Sequence, residues 1–170
     1  MADKYLYNNS GTITEKAATV SSAGGANAGQ IVALDGSGHL DSTVMPTGIG
    51  ADTVSVLASE ALSAGNFVSL YNNSGTLNTR KADASTTGKK ADGFVLGAVS
   101  SGAMGTVYLA GQNTQVTGMT PGDVFLSATT PGAATGSAPS GTAGQTVQRI
   151  GIALSATVVE FRPFAPIVTG

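Results

Sequence analysis

A seven-residue word occurs twice in this chain of 170 residues. Leu6-Tyr7-Asn8-Asn9-Ser10-Gly11-Thr12 returns unchanged as Leu70-Tyr71-Asn72-Asn73-Ser74-Gly75-Thr76. Each copy sets a strand-like apolar start against a turn of Asn, Ser and Gly, and then resumes with Ile13 or Leu77. Asn tolerates positive φ and hydrogen-bonds its own backbone, and Gly supplies a left-handed position, so the word predicts a β-hairpin. A chain that uses the same hairpin twice is β-rich, turn-dense and internally repetitive. A looser rhythm of Gly, polar and apolar residues supports this. It recurs in Gly29-Gln30-Ile31-Val32, Gly65-Asn66-Phe67-Val68 and Gly122-Asp123-Val124-Phe125, and more faintly in Gly144-Gln145-Thr146-Val147. Each reads as a Gly-led turn that feeds a strand.

The periodicity along the chain then divides it in two. Residues 1–53 read as an extended N-terminal arm with short β-hairpins. One hairpin is expected within 5–14, a short strand at 30–34 before the turn Asp35-Gly36-Ser37-Gly38, and an extended run over 43–50. The small-residue stretch 18–29 has neither a helical nor a strand period. Residues 54–170 read as a β-rich domain. Thr53-Val54-Ser55-Val56-Leu57 alternates as a half-buried strand should, and further strands are expected at 66–70, 93–99, 105–109, 124–126, 147–154 and 157–161. Residues 59–64 predict one helical turn, capped by Ser59 and stopped by Gly65. Residues 128–144 lack periodicity, and a loop of that length is either mobile or pinned by a partner. The expected fold is all-β: a compact β-sandwich or barrel-like domain preceded by the arm.

Charge narrows the function classes. Charged residues make up 11% of the chain, against about 25% in typical soluble domains, while Gly alone fills 24 positions. Such surfaces suit strands laid close together or faces covered by other subunits. The recurrent Val, Ile and Leu argue against a disordered chain. A net charge of −2 gives a nucleic-acid or anionic-membrane partner no bulk electrostatic support, and no apolar run approaches a membrane span. Met1-Ala2-Asp3-Lys4-Tyr5 lacks the apolar core of a signal peptide, which leads us to expect synthesis in a bacterial-type cytoplasm. With no Cys, disulfides are excluded.

Chemistry-bearing constellations are sparse. His39, the one histidine, lies near Asp35 and Asp41, but no G-x-S-x-G elbow accompanies it, and a surface turn histidine is the expectation. One His and no Cys cannot furnish the usual zinc set, and Asp35-Gly36-Ser37-Gly38 lacks the alternating ligands and closing Glu of a calcium loop. Gly48-Ile49-Gly50 is a fragment of a phosphate-loop pattern without a helix after it. The two Asn-Asn-Ser triplets match a glycosylation sequon, though turn formation already explains them. The chain is therefore expected to be no enzyme, with no catalytic residue, cofactor or metal. Arg80, Lys81, Lys89 and Lys90, with Asp83 and Asp92 among them, hold half of the basic residues. They read either as a solvated loop or as a docking patch for an acidic protein surface. Without interleaved aromatics they do not suit single-stranded nucleic acid. Tyr5, Tyr7 and Tyr71 are the candidate anchors onto a neighbour, since Tyr joins an apolar body to a polar tip.

Three stretches resemble segments of tailed-phage virion proteins. They are Ala28-Gly29-Gln30-Ile31-Val32-Ala33-Leu34-Asp35-Gly36-Ser37-Gly38-His39-Leu40-Asp41-Ser42-Thr43-Val44-Met45-Pro46, Thr120-Pro121-Gly122-Asp123-Val124-Phe125-Leu126, and Gly144-Gln145-Thr146-Val147-Gln148-Arg149-Ile150-Gly151-Ile152-Ala153-Leu154-Ser155. Among such proteins the short chain is most similar to a capsid decoration, or cement, protein. The resemblance implies a homotrimer on the outer capsid surface of the virion, bound across major capsid protein subunits, with no catalysis and no cofactor. The alternative it leaves is a tail-tip or spike receptor-binding component. Coiled-coil heptads and collagen-like repeats, which many fibres use to trimerise, are missing.

Overall fold

The computed structural model describes residues 3–45, 51–140 and 142–170, in two units, Met1–Gly50 and Ala51–Gly170. In the first unit, β1 (Lys4–Asn9) and β2 (Thr12–Ala17) form a two-stranded antiparallel hairpin in which Asn9 pairs with Thr12. That register leaves Ser10 and Gly11 as a two-residue loop, with φ of 53° and 95°. Positive φ at both central residues is the signature of the type I′ turn, whose twist matches that of the flanking strands. The left-handed non-Gly residue is therefore Ser10, not an Asn. Asn8 acts instead through its side chain, accepting from the Gly11 N–H at 2.8 Å.

After the hairpin the unit has little regular structure. Gly24–Asn27 and Ser42–Val44 form short 3-10 turns, and Asp41 caps the second by accepting from the Thr43 N–H. The strand expected at 30–34 is reduced to one parallel bridge between Thr19 and Val32, because no second neighbour pairs with its other edge among the described residues. The turn at 35–38 is present, closed from Gly38 N–H to Asp35 carbonyl at 3.0 Å. Part of the extended run expected over 43–50 lies outside the described residues, as does Gly48-Ile49-Gly50. No described residue of this unit is buried.

The second unit is all-β. Its first strands are β3 (Thr53–Ala58), β4 (Phe67–Asn73), β5 (Thr76–Lys81), β6 (Gly93–Phe94) and β7 (Met104–Tyr108). They close a barrel in the order β3-β5-β4-β6-β7, so the barrel-like expectation describes this part of the fold. Closure depends on a parallel contact of β3 with β5, Leu57 with Asn78 and Ala58 with Thr79. Then come β8 (Gly111–Asn113), β9 (Gly122–Leu126), β10 (Ala134–Thr135), β11 (Thr146–Val147), β12 (Arg149–Ser155), β13 (Val158–Phe161) and β14 (Ile167–Val168). Five of these make a sheet in the order β10-β9-β12-β13-β8, and β11 pairs with β14.

Period-2 alternation explains how one strand serves two cores. Val68 and Val95 join Val56, Ala58, Leu62 and Val107 in one cluster. Their chain neighbours Phe67 and Phe94 point the other way and join Val124, Leu126, Ile150, Val159 and Phe161 of the sheet in a second. At its centre Phe67, Phe94 and Phe161 lie with ring centroids 5.7–6.4 Å apart at tilted or edge-on angles, as aromatic quadrupoles favour.

One expectation is overturned. Residues 59–64 contain no helical turn. The Ser59 hydroxyl donates to the Thr79 carbonyl rather than capping a helix, and Leu62 exchanges backbone hydrogen bonds with Val99 while its side chain fills the barrel core. Of residues 128–144, the start is held by the chain itself. Gly132 donates to the Ala82 carbonyl and accepts from the Phe67 N–H, Ser127 Oγ accepts from the Thr129 and Thr130 N–H groups, and Ala134–Thr135 pairs with β9.

Candidate partner-contact surface

The repeated word folds the same way twice. In the β4–β5 hairpin, Asn73 pairs with Thr76, Ser74 has φ of 52° and Gly75 of 91°, and Asn72 Oδ1 accepts from the Gly75 N–H at 2.7 Å. The likeness extends beyond the seven identical residues. Lys16 Nζ sits 4.9 Å from the centre of the Tyr7 ring, and the Arg80 guanidinium 4.4 Å from that of Tyr71. Both pairs are diagonal cross-strand neighbours in the same register, and in both the cation follows the tyrosine by nine residues. Such stacks contribute about 0.5–1 kcal/mol at exposed sites. Lys16 was not among the sequence candidates, yet its spacing from Tyr7, matched by Arg80 from Tyr71, is legible in the chain.

The remaining candidates do not form one patch of free charge. Arg80 also donates to the Gly88 carbonyl at 2.9 Å, and its Nε is shielded from water without a partner. Lys81 is held through its backbone N–H, which donates to Glu60 at 2.9 Å. Lys89 lies 3.7 Å from the largely buried Asp83 carboxylate, and Lys90 pairs with Asp92. Asp92 in turn accepts from the Leu70 N–H. Lys89 and Lys90 thus each face a carboxylate, which leaves Arg80 and Lys81 to carry the positive end of the cluster. Of the anchors, Tyr7 is 41% exposed, whereas Tyr5 and Tyr71 are half-buried and the Tyr5 hydroxyl is shielded without a hydrogen bond.

Beside Lys90 and Asp92 lies a hollow of about 460 Å³, lined also by Gln148 and by Pro163, Phe164, Ala165 and Pro166. Its polar groups are occupied. Gln148 is buried, accepts from the Ala91 N–H and donates to the Ala91 and Phe164 carbonyls. It therefore anchors the C-terminal segment rather than offering a free donor.

No group of three His, Cys, Asp or Glu side chains is placed to hold a metal ion among the described residues. At the turn that slightly resembled a calcium loop, the Asp35 carboxylate accepts from the His39 and Ser37 N–H groups at 2.9 and 2.8 Å. These bonds, that from His39 foremost, hold its pKa below the ordinary carboxylate value. Asp41 is lowered in the same direction, first by the Thr43 hydroxyl and then by the Thr43 N–H. Both carboxylates are used to lock turns. His39 is exposed, and what it contributes there is its backbone N–H. Among the described residues no helix is long and apolar enough to cross a membrane.

What the surface does offer is apolar. In the first unit Leu6, Ile13, Val20, Ile31, Val32, Leu34 and Leu40 are all exposed, Leu6 at 75% and Ile13 at 61%. Single exposed aliphatics are ordinary; here seven fall on a unit with no buried residue among those described. Comparison of the chain with family models, curated proteins and solved structures gives no match.

Proposed function

We propose that this chain is a structural virion protein of the capsid-decoration kind. It sits as a homotrimer on the outside of a phage shell and bridges major capsid protein subunits, with its first unit as the extended arm. It is made in the host bacterial cytoplasm, acts through no enzyme chemistry or cofactor, and binds neither nucleic acid nor membrane. The observation that carries the reading is the contrast between the two units. Among the described residues, 51–170 hold every buried side chain, whereas 3–45 hold none and expose seven aliphatics. A segment of this kind becomes ordered by what it docks onto, and its ordering cost makes docking depend on the correct surface. Anything that binds only the assembled shell stabilises it by mass action. Tyr5, Tyr7, Tyr71, Arg80, Lys81, Lys89 and Lys90 are the proposed contacts, and the three virion-like stretches add their support.

The test is the copy number of the chain per purified particle, measured against the major capsid protein. A number comparable to the shell protein is expected, because only a repeating shell offers so many equivalent sites. A handful of copies would instead favour the second reading, a tail-tip or spike receptor-binding component. Its motivation is the exposed stretch 136–138 within the long segment after β9.

A further inference from the structure

The duplicated word offers two identical asparagine sites in unequal surroundings. Asn is a thermolabile residue, because the next backbone nitrogen can attack its side-chain carbonyl carbon and displace ammonia. Attack requires a free amide, a small following residue and a backbone N–H that donates to nothing else. Five of the eight asparagines, Asn8, Asn27, Asn66, Asn72 and Asn113, have Oδ1 engaged by a backbone N–H. Asn78 is buried and precedes the β-branched Thr79. Asn9 and Asn73 remain. Each is exposed and precedes a serine, and among the described residues neither amide nor either serine N–H makes a hydrogen bond. Their turns also match, with φ of 53° and 95° in one and 52° and 91° in the other.

What differs is the support behind each turn. Both asparagines end strands, Asn9 in β1 and Asn73 in β4. Extended backbone holds the next nitrogen out of the plane of the five-membered ring that must close, so the strand end has to open first. In β4–β5, Phe67 and Val68 pair with β6, Asn78 and Thr79 pair with β3, and Val68 and Leu70 pack in the barrel cluster. Only the exposed tip, 72–77, projects from that base. By contrast, β1–β2 pairs with no further strand and buries no residue among those described. A lone two-stranded hairpin is marginal in water, and such an element opens at little free-energy cost. We infer that Asn9 is a site of spontaneous deamidation in the folded chain, and that the fold protects Asn73 from the same reaction. The Ser10 nitrogen loses its proton to hydroxide and bonds to Asn9 Cγ, the Cγ–Nδ2 bond breaks, and ammonia leaves. Water then opens the succinimide at one of its two ring C–N bonds, giving aspartate or isoaspartate. Either product adds a negative charge to a chain of net charge −2. Isoaspartate also lengthens the main chain of β1 by one methylene where Asn9 pairs with Thr12, so the two-residue turn no longer fits its register.

Incubation of the full chain at mildly alkaline pH tests this, with peptide mass mapping to place each amide-to-acid change. In the folded chain the change should accumulate at Asn9 at least tenfold faster than at Asn73. In urea the two rates should converge, because the flanking residues are the same over the whole word. A variant separates the chemistry from mere loosening of the turn. Ser10→Pro cannot hold the positive φ of this position and so opens the hairpin, yet it also removes the attacking N–H. It should abolish the change at Asn9 and leave the rate at Asn73 as it was. A folded Asn9 that reacts no faster than Asn73, a larger change at Asn8 than at Asn9, or persistence of the reaction in Ser10→Pro would each overturn the inference. The measurement uses the free chain, so it stands apart from the virion reading and from any copy number per particle.

Discussion

Ser74 occupies a backbone position that L-residues with a Cβ adopt reluctantly, φ of 52°, in a turn that favours Asn or Gly at that point. Ser74→Gly is therefore expected to stabilise the second unit by about 0.5 kcal/mol, with strain relief partly offset by unfolded-state entropy. Urea unfolding followed by circular dichroism checks the sign, and a loss of stability would show that the serine hydroxyl has a role the backbone argument omits. Gly151 lies at the opposite extreme of tolerance. A Cβ there would meet the Glu160 carbonyl oxygen at 2.0 Å, on the partner strand, where β12 bulges against β9. Backbone cannot yield as a flexible side chain can. Gly151→Ala should cost roughly 3 kcal/mol or more, read as a collapse of the urea midpoint. None of this close approach is visible in the residues around Gly151, because the obstacle comes from β13.

At the level of elements, the hairpins were legible and several strands were not. Asn, Ser and Gly between apolar runs specify a two-residue turn, and the turn then sets the register of both arms. By contrast β8 is Gly-Gln-Asn, with no apolar residue to signal burial, yet Asn113 is fully buried and donates to the Gly65 carbonyl at 2.9 Å. The expected strand over 93–99 shortens to Gly93–Phe94, because Val99 leaves the ladder to bridge Leu62. The C-terminal segment is similar. Its attachment depends on Gln148, whose amide satisfies three backbone groups that apolar side chains cannot. Gln148→Leu should destabilise the second unit by about 2–4 kcal/mol, since it strands buried polar atoms at Ala91 and Phe164. Hydrogen exchange at Ala91 is expected to accelerate in step, and an unchanged rate would mean that β11 and β14 hold this region without the glutamine.

Across the whole molecule stability is distributed unevenly, and pH should expose the difference. The turns at 35–38 and 41–44 are locked by Asp35 and Asp41, whose folded pKa values lie below the ordinary 3.8. A lowered folded value means that this contribution is present in full above that ordinary value and is lost as pH falls through the folded one. Acidification from about pH 4 to about pH 2 should therefore release these turns. In an NMR titration the amides of Ser37, His39 and Thr43 should shift together, while those of Val68, Phe94 and Val159 stay protected. Coincident loss in both groups would show that the two units unfold as one. The functional candidates follow the same division. Tyr and basic residues were readable as a class, but the pairing of Lys89 with Asp83 and of Lys90 with Asp92 needed the fold to place them.

Local chemistry in the chain was enough for the β class, the two turns and the tyrosine–cation spacing, because each involves residues within one hairpin. Folding alone settled which of the two identical hairpins is completed. β4–β5 is flanked by Phe67 and by the apolar residues of β3, β6 and β7, so its faces meet two cores. β1–β2 is followed by 18–29, which is rich in Ser, Gly and Ala and forms no strand beside it. The same word thus becomes a barrel wall in one place and an uncovered surface in the other. The physical reason is that burial is a property of long-range neighbours, and a seven-residue word carries no record of them.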